Sequence, residues 1–257
     1  MRNVLRIARV EVLEHLRQPW MIFILAANYA LFLIAFGLLF RGVESLSVRP
    51  EALASLRAQL AAFGVELDTF LKLATSSFGS LMFTSFPLYV AIFSGTSVLH
   101  DRECGTLPFL MLAPLTRRTL LAGKLAGAMA IPLALHLLFV GGSSLMFADY
   151  ASLAPFAHKL GASPAWWVAF LVGAPAAAAF VGSLGTVISA LSGDMRTSMQ
   201  YTSFFIGLLS LAFGFVLVDG ISEGPTVQWG FAVGCALAAG GTLLFGAWLV
   251  SRDVTSG

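Results

Sequence analysis

Charged residues are scarce in this chain, and their scarcity excludes an ordinary soluble protein. Only 11% of the 257 residues are charged, against about 25% in a typical soluble domain. Hydrophobic residues make up 58% of the chain, and the mean hydropathy is +0.87. Folding in water would leave too little polar surface to cover the outside. Lipid is therefore the expected solvent, and the expected fold class is an all-α integral membrane protein.

Cysteine is also nearly absent, and basic residues form no cluster. The two cysteines, Cys104 and Cys235, make neither a disulfide framework nor a metal-ligand pattern, so no metal site is predicted. The net charge of +2 is spread along the chain, which argues against a nucleic-acid partner. The first apolar run, 20–40, is too long for a cleavable signal peptide, so we expect it to stay in the membrane.

Six apolar windows without Asp, Glu, Lys or Arg are long enough to cross a membrane, which takes roughly 20 helical residues. An even number of spans places both termini on the same side. We predict one transmembrane domain over residues 1–257. The six windows are 20–40, 75–99, 125–147, 165–191, 197–218 and 229–250.

The basic residues favour a cytoplasmic N-terminus. Of the 15 Lys and Arg residues, ten fall in segments that this orientation places inside the cell. We therefore predict a multi-pass protein of the cytoplasmic membrane with both termini in the cytoplasm. Segment 41–74 becomes an outer loop, and apolar residues at helical spacing over 51–63 predict an amphipathic helix in it. That helix could bind an extracytoplasmic partner or cover the mouth of the bundle.

Residues 1–19 are predicted to form a basic amphipathic helix on the inner surface. Apolar residues recur there at spacings of three and four, and basic residues occupy the other faces. Such a helix lies in the membrane interface with its apolar side chains in the acyl boundary. Pro19 would separate it from the first span as an elbow. The alternative is a cytosolic extension of that span.

The cytoplasmic loop 100–124 begins with charged residues and continues as a short apolar helix. Gly105 and Thr106 predict a turn and a helix cap. The helix itself is predicted over Leu107–Leu112 and ends before Pro114. An apolar helix at this place needs a surface that buries it. Composition alone is compatible with two such surfaces, the membrane interface and a groove on another protein.

This loop resembles the signature of the type-2 permeases of ATP-binding-cassette (ABC) transporters. The first helix resembles that family's opening helix through Ala8-Arg9-Val10-Glu11. Six spans and a cytoplasmic N-terminus also match the family. The residues that carry the likeness in the loop are Glu103-Cys104-Gly105-Thr106-Leu107, Pro114, Arg117-Arg118 and Gly123-Lys124.

The resemblance implies a permease subunit of an ATP-driven exporter in a bacterial or archaeal membrane, working by alternating access. It implies a separate cytoplasmic ATPase subunit, which would bind ATP and Mg, and a second permease copy in a homo- or heterodimer. The helix in the loop would be a coupling helix, receiving motion from the ATPase together with the elbow helix. The implied ATPase contacts are Glu11, Arg102, Glu103, Gly105, Thr106, Leu107, Leu110, Pro114, Arg117, Arg118 and Lys124.

No motif predicts that this chain is an enzyme or binds a cofactor itself. A P-loop needs Ser or Thr after its Gly-Lys pair, whereas Gly123-Lys124 is followed by Leu125. The absence of charges from the spans argues against an ion-coupled transporter. A membrane assembly or maturation component is the alternative, as in nitrous-oxide-reductase maturation or gliding machinery. A membrane-embedded enzyme would need paired carboxylates or a metal-ligand cluster, which the sequence lacks.

Polar and aromatic residues within the spans are candidates for a substrate path. His136 either contacts substrate or hydrogen-bonds a neighbouring helix. The spans carry no charge, which suits a hydrophobic or amphipathic substrate. Aromatic residues of the second and fifth spans line the path in the family, although lipid-facing positions would explain them equally. They are Phe83, Phe86, Tyr89, Tyr201, Phe204 and Phe205.

Glycine pairs and prolines mark where the spans should pack closely or bend. Gly123 and Gly127 are four residues apart, as are Gly230 and Gly234, and this spacing suits close helix packing. Three prolines are expected to kink their spans. They are Pro87, Pro132 and Pro175.

Overall fold

A computed structural model of the chain describes residues 2–17, 19–47, 49–112, 115–149 and 164–253. The secondary structure within these ranges is helical without a strand, which confirms the predicted all-α class. The helices are α1 (Arg2–Leu16), α2 (Pro19–Ser47), α3 (Pro50–Ala62), α4 (Leu67–Glu103), α5 (Leu107–Leu112), α6 (Arg117–Asp149), α7 (Pro164–Val168), a π-helix (Ala169–Gly173), α8 (Ala174–Leu191), α9 (Met195–Glu223) and α10 (Pro225–Asp253).

Three helical segments of the described chain are long and apolar enough to cross a membrane. They are Arg117–Leu145, Pro164–Leu191 and Pro225–Val250. A fourth is formed if the segments Asn3–Leu16 and Pro19–Ala35 count as one span with an 85° bend. The predicted windows 75–99 and 197–218 lie within α4 and α9, which do not meet this criterion over the residues described.

The core of the bundle forms where α4 and α8 pack side by side. Small residues on α8, mostly Ala, Gly and Ser, are buried and allow α4 to approach closely. The hydroxyl of Ser189 on α8 accepts hydrogen bonds from the amides of Val98 and Leu99, at 3.2 and 3.0 Å. The Ser198 hydroxyl of α9 donates to the Gly95 carbonyl of α4 at 2.6 Å. Short polar side chains therefore join the helices that the apolar core packs together.

Helix α1 turns sharply away from α2 and lies against α6. It ends at Leu16, and Pro19 starts α2, because proline is well suited to the first turn of a helix. Ile7 fits against Gly123, where an added Cβ would lie 2.7 Å from the Ile7 Cβ. Leu5 and Leu16 on the outer side remain 67% and 52% exposed. The helix thus has one face on the protein and apolar side chains directed outward.

Candidate functional site

Three helices meet at a buried group of charged side chains. The Lys124 Nζ of α6 lies 2.5 Å from Glu11 Oε2 on α1 and 2.7 Å from Asp101 Oδ2 on α4. The same ammonium donates to the Ser97 carbonyl at 3.1 Å. The three charged residues are only 2–3% exposed. We call Glu11, Asp101 and Lys124 the buried charge cluster.

The buried charge cluster depends on its single cation, because one ammonium serves two carboxylates. Burying an ion costs several kcal/mol of hydration, which its partners must offset. Here the Lys124 ammonium donates to Glu11 Oε2 and to the Ser97 carbonyl, and it forms an ion pair with Asp101. Burial raises the pKa of the Glu11 carboxyl from its ordinary 4.5 to about 7, and the Lys124 ammonium opposes part of that rise. Removing Lys124 would leave two buried carboxylates without a cation.

A hydrogen-bonded turn built on Gly105 ends α4 and is bonded to this cluster. The Gly105 amide donates to the Arg102 carbonyl at 3.1 Å, and the Thr106 amide donates to the Asp101 carbonyl at 2.9 Å. These two bonds define a Schellman motif, and Gly105 has the left-handed φ of +71° that the motif requires. The Thr106 hydroxyl also donates to Asp101 Oδ1 at 3.2 Å. The turn and the buried charge cluster therefore share Asp101.

Two arginines on either side of α5 bind the ends of other helices. The Arg102 guanidinium donates to the carbonyls of Ser192 and Ala190, at 2.8 and 3.0 Å, where α8 ends. Arg117 donates to the Val250 carbonyl at 2.6 Å, near the end of α10. Helix C-termini carry partial negative charge, so a cation there is favourable. These bonds fasten both ends of the loop to the bundle.

Between these attachments, α5 presents apolar side chains to its surroundings. Phe109 and Leu112 are 75% and 82% exposed. Leu107, on the opposite side, packs against a small apolar cluster that joins α4, α6, α8 and α10. A cavity of about 430 Å³ separates α5 from α1, and Phe109 lines it. A firmly attached helix with exposed apolar side chains marks an interaction surface.

The predicted partner-binding residues fall into an exposed and an internal set. Leu107 and Leu110 are half-buried at the base of α5, and Pro114 lies outside the described residues. Arg102 and Arg117 use their guanidinium groups inside the chain. Glu11 and Lys124 are buried and bind each other. The exposed residues are Arg102, Glu103, Gly105, Thr106 and Arg118.

Asp101 was missing from the predicted site. It connects Lys124, Thr106 and the end of α4, so it is central to the arrangement. A sequence signal for it exists, because Asp101 is the first charged residue after the window 75–99 and lies four residues before Gly105. In a Schellman motif the carbonyl of the residue three positions from the helix end accepts the bond that closes the turn, and Asp101 holds that position.

The predicted path residues lie in two different environments. Phe83, Phe86 and His136 have no exposed surface, and His136 hydrogen-bonds a neighbouring helix, one of its two predicted roles. The Tyr89 hydroxyl is half-buried and accepts from the Asn28 amide at 2.6 Å. The α9 set is different: Tyr201, Phe204 and Phe205 are 54%, 65% and 52% exposed. The α9 set is thus open to a substrate or to lipid, and the Phe83–Phe86 pair is core.

No group of three or more His, Cys, Asp and Glu side chains is placed to hold a metal ion within the described ranges. Lys124 is also committed to its two carboxylates, so Gly123-Lys124 does not present a free ammonium to a phosphate.

Comparison with known sequences identifies a family. The model of the family described as ABC-2 family transporter protein matches residues 5–231. That range contains the buried charge cluster, α5 and the exposed aromatic residues of α9. No curated protein matches the chain.

Proposed function

The chain belongs to the ABC-2 transporter family, and from that premise we propose that it is the membrane-spanning permease subunit of an ATP-driven exporter. Family membership makes it a permease component of an ABC transporter and a multi-pass membrane protein whose family works with an ABC ATPase. The proposal adds the direction of transport, the use of α5 and the identity of the substrate-facing surface.

We place six spans in the membrane, with both termini in the cytoplasm. The six charge-free windows and the excess of Lys and Arg in the inner segments support this topology. In this arrangement α1 is the elbow helix in the inner interface, and its exposed Leu5 and Leu16 face the acyl boundary. The loop with α5 then lies on the cytoplasmic side, where an ATPase can reach it.

The exposed apolar surface of α5 is the observation that supports ATPase docking most strongly. Phe109 and Leu112 project from a helix whose two flanks are hydrogen-bonded to α8 and α10. A groove on a cytoplasmic ATPase would bury these side chains and remove their contact with water. Lipid would bury them equally well but would transmit no force. We therefore assign α5 the role of the coupling helix.

The bonds around α5 provide a route for motion into the spans. Closure of an ATPase dimer around ATP and Mg would displace α5. The Schellman turn at Gly105 would pass this displacement to α4, and the buried charge cluster would pass it to α1 and α6. Arg102 and Arg117 connect the same loop to α8 and α10. A ligand on the partner thus biases two arrangements of the bundle, inward- and outward-facing.

The substrate path is proposed along the exposed face of α9. Tyr201, Phe204 and Phe205 present aromatic surface there, while Phe83, Phe86 and His136 are enclosed by the core. Pairing with a second permease copy would place two such faces opposite each other across a central path. A surface of aromatic rings without charges suits a hydrophobic or amphipathic substrate.

The test is an export assay on the complete complex of permease and ATPase in vesicles. Deletion of Leu107–Leu112, or Gly105→Pro, should abolish ATP-dependent export while membrane insertion and basal ATP hydrolysis remain. The double variant Phe109→Ala, Leu112→Ala should reduce export without removing the helix. Phe63→Ala is the matched control, because Phe63 is 84% exposed but lies beside α3 at the other end of the bundle. Normal export by the deletion variant would refute the role of α5.

A further inference from the structure

A neutral hydrogen bond in the core joins α6 to the π-helix. His136 has no exposed surface, and its Nε2 lies 3.0 Å from the Phe170 carbonyl oxygen. A carbonyl only accepts, so Nε2 carries the proton and donates. The second ring nitrogen, Nδ1, is buried and has no hydrogen-bond partner within the described part of the chain. His136 therefore has one specific bond, and it goes to the main chain of another helix.

The Phe170 carbonyl is free for this bond because of Pro175. The Ala174 amide donates to the Ala169 carbonyl, five residues back, which is the π-helical register. The next bond in this register would run from residue 175 to Phe170, but proline has no N–H. The amide of Ala174 is already used, so the α-helical register supplies no donor either. Phe170 would be an unsatisfied carbonyl in the membrane without His136, and such groups are costly.

A stack of rings fixes the direction of the His136 donor. The rings of Phe86 and Phe170 lie nearly parallel to the imidazole, at interplanar angles of 13° and 10°. Their centroids are 4.5 and 6.1 Å from it. Trp166 extends the stack beyond Phe170, with centroids 4.4 Å apart. Both the donor and the acceptor of the hydrogen bond are therefore held in place by packing.

The π-helix lies at one end of α8, and the Arg102 attachment lies at the other. The carbonyls of Ala190 and Ser192 that bind Arg102 belong to the last turn of α8 and the residue after it. A π-turn holds one residue more than an α-turn. Conversion to the α register would shift α8 by about 1.5 Å along its axis and rotate it by about 100° relative to α7. Such a change would move the carbonyls that bind Arg102 and thereby displace the loop that carries α5.

We propose that His136 and Pro175 are positioning residues for transport, because together they hold the π-turn as a hinge whose change of register moves α8 and its attachment to Arg102. This inference rests on the proposed function for its transport role. His136 does not touch substrate in this account. It supplies the hydrogen-bond donor that Pro175 lacks, and so stabilises the π-turn.

The hinge itself is tested on the purified permease by amide hydrogen exchange over residues 169–175 and by melting temperature. His136→Phe keeps a ring in the stack but removes the donor, so exchange should rise and the melting temperature should fall. Adding Pro175→Ala to that variant supplies a new amide at position 175, which should restore both towards the parent values. Additive defects in the double variant, or unchanged exchange in His136→Phe, would overturn the proposal. If His136→Phe fails to fold, amide hydrogen exchange and melting temperature are measured on Pro175→Ala alone.

The transport role is tested with the complete complex in vesicles as substrate exported per ATP hydrolysed. Pro175→Ala should lower this ratio several-fold while ATP hydrolysis continues, because the α register becomes available to the turn. Pro132→Ala, at the proline inside α6, is the matched control and should keep the parent ratio. A parent ratio in Pro175→Ala would overturn the transport role. Failure of the parent complex to export would refute the proposed function instead. The hydrogen-exchange measurement would still test whether His136 and Pro175 hold the π-turn.

Discussion

Two polar joints of this bundle use opposite chemistry. At the end near α5, three helices are joined by the buried charge cluster of Glu11, Asp101 and Lys124. In the core, α6 and the π-helix are joined by one neutral hydrogen bond between His136 and the Phe170 carbonyl, within a stack of rings. Charged side chains are tolerated near the membrane boundary and are costly deeper in the membrane. A neutral imidazole does not carry that cost.

This difference indicates which parts of the bundle should move together. The cluster depends most on Lys124, since its loss leaves two buried carboxylates without a cation, whereas loss of one carboxylate leaves a matched ion pair. The cluster should therefore hold α1, α4 and α6 as one unit beside the loop. The neutral joint is different, because a main-chain amide in the α register is a complete substitute for the imidazole donor. The core joint can therefore exchange partners, whereas the charged joint cannot.

The largest expected effect comes from removing the cation of the buried charge cluster. Lys124→Met keeps most of the side-chain volume but leaves Glu11 and Asp101 buried without their shared cation. Breaking a buried ion pair in this way costs about 3–5 kcal/mol of unfolding free energy. Chemical unfolding in detergent micelles measures the loss, with Arg118→Met as the control because Arg118 is exposed. Equal stability of the two variants would contradict the cluster's role.

A triple variant sharpens this comparison. Replacing Glu11 and Asp101 by Leu together with Lys124→Met removes all three charges at once, and well-packed apolar replacements of buried ions are often neutral. We expect stability to return towards the parent value while export remains impaired. Parent-like export by the triple variant would show that the charges are not needed for coupling.

The turn at Gly105 should give an intermediate effect. Gly105→Ala places a Cβ at a φ of +71°, which costs about 1–2 kcal/mol for a residue other than glycine. The strain should weaken the Schellman turn and lower ATPase stimulation by substrate. Gly207→Ala is the matched control, because Gly207 lies within α9 with open space around its Cα. Alanine at position 207 should leave the unfolding free energy unchanged or raise it by about 0.5–1 kcal/mol. Alanine at position 105 should lower it.

The smallest effect is a pH dependence from Glu11. Its folded-state pKa of about 7 exceeds the ordinary value of 4.5, so its contribution to stability is complete below pH 4.5 and is lost as pH rises through 7. The melting temperature of the parent should therefore fall between pH 4.5 and 7, more than that of Glu11→Gln. Glu51→Gln, at an exposed position of α3, should keep the parent slope. Identical slopes in the parent and Glu11→Gln would contradict this assignment.

Local sequence patterns predicted the loop better than the contacts around it. The short helix predicted over Leu107–Leu112 has the bounds of α5, because Gly105 sets its start by local geometry. The bond between Glu11 and Lys124 joins residues 113 positions apart, and no local pattern specifies such a pair. The family likeness included both residues but gave them the ATPase as partner rather than each other.

The glycine pairs show the same limit. Gly123 and Gly127 do sit at a close helix contact, with α1, as their spacing predicted. Gly230 and Gly234 have the same spacing, yet no atom of a neighbouring helix in the described part of the chain lies within 4 Å of a Cβ added at either. Spacing identifies a face that allows close approach, and tertiary packing decides whether a helix occupies it. Pro175 is similar: a kink was predicted there, and the structure places a π-turn before it whose Phe170 carbonyl binds His136.

Photo-crosslinking from α5 in the complete complex tests the central claim most directly. A photoreactive phenylalanine analogue at position 109, where the side chain is 75% exposed, reports what covers this helix in the membrane. We predict a covalent adduct with the ATPase subunit whose yield changes when ATP is added. An analogue that captures only phospholipid at position 109, with and without ATP, would contradict the assignment of α5 as the coupling helix.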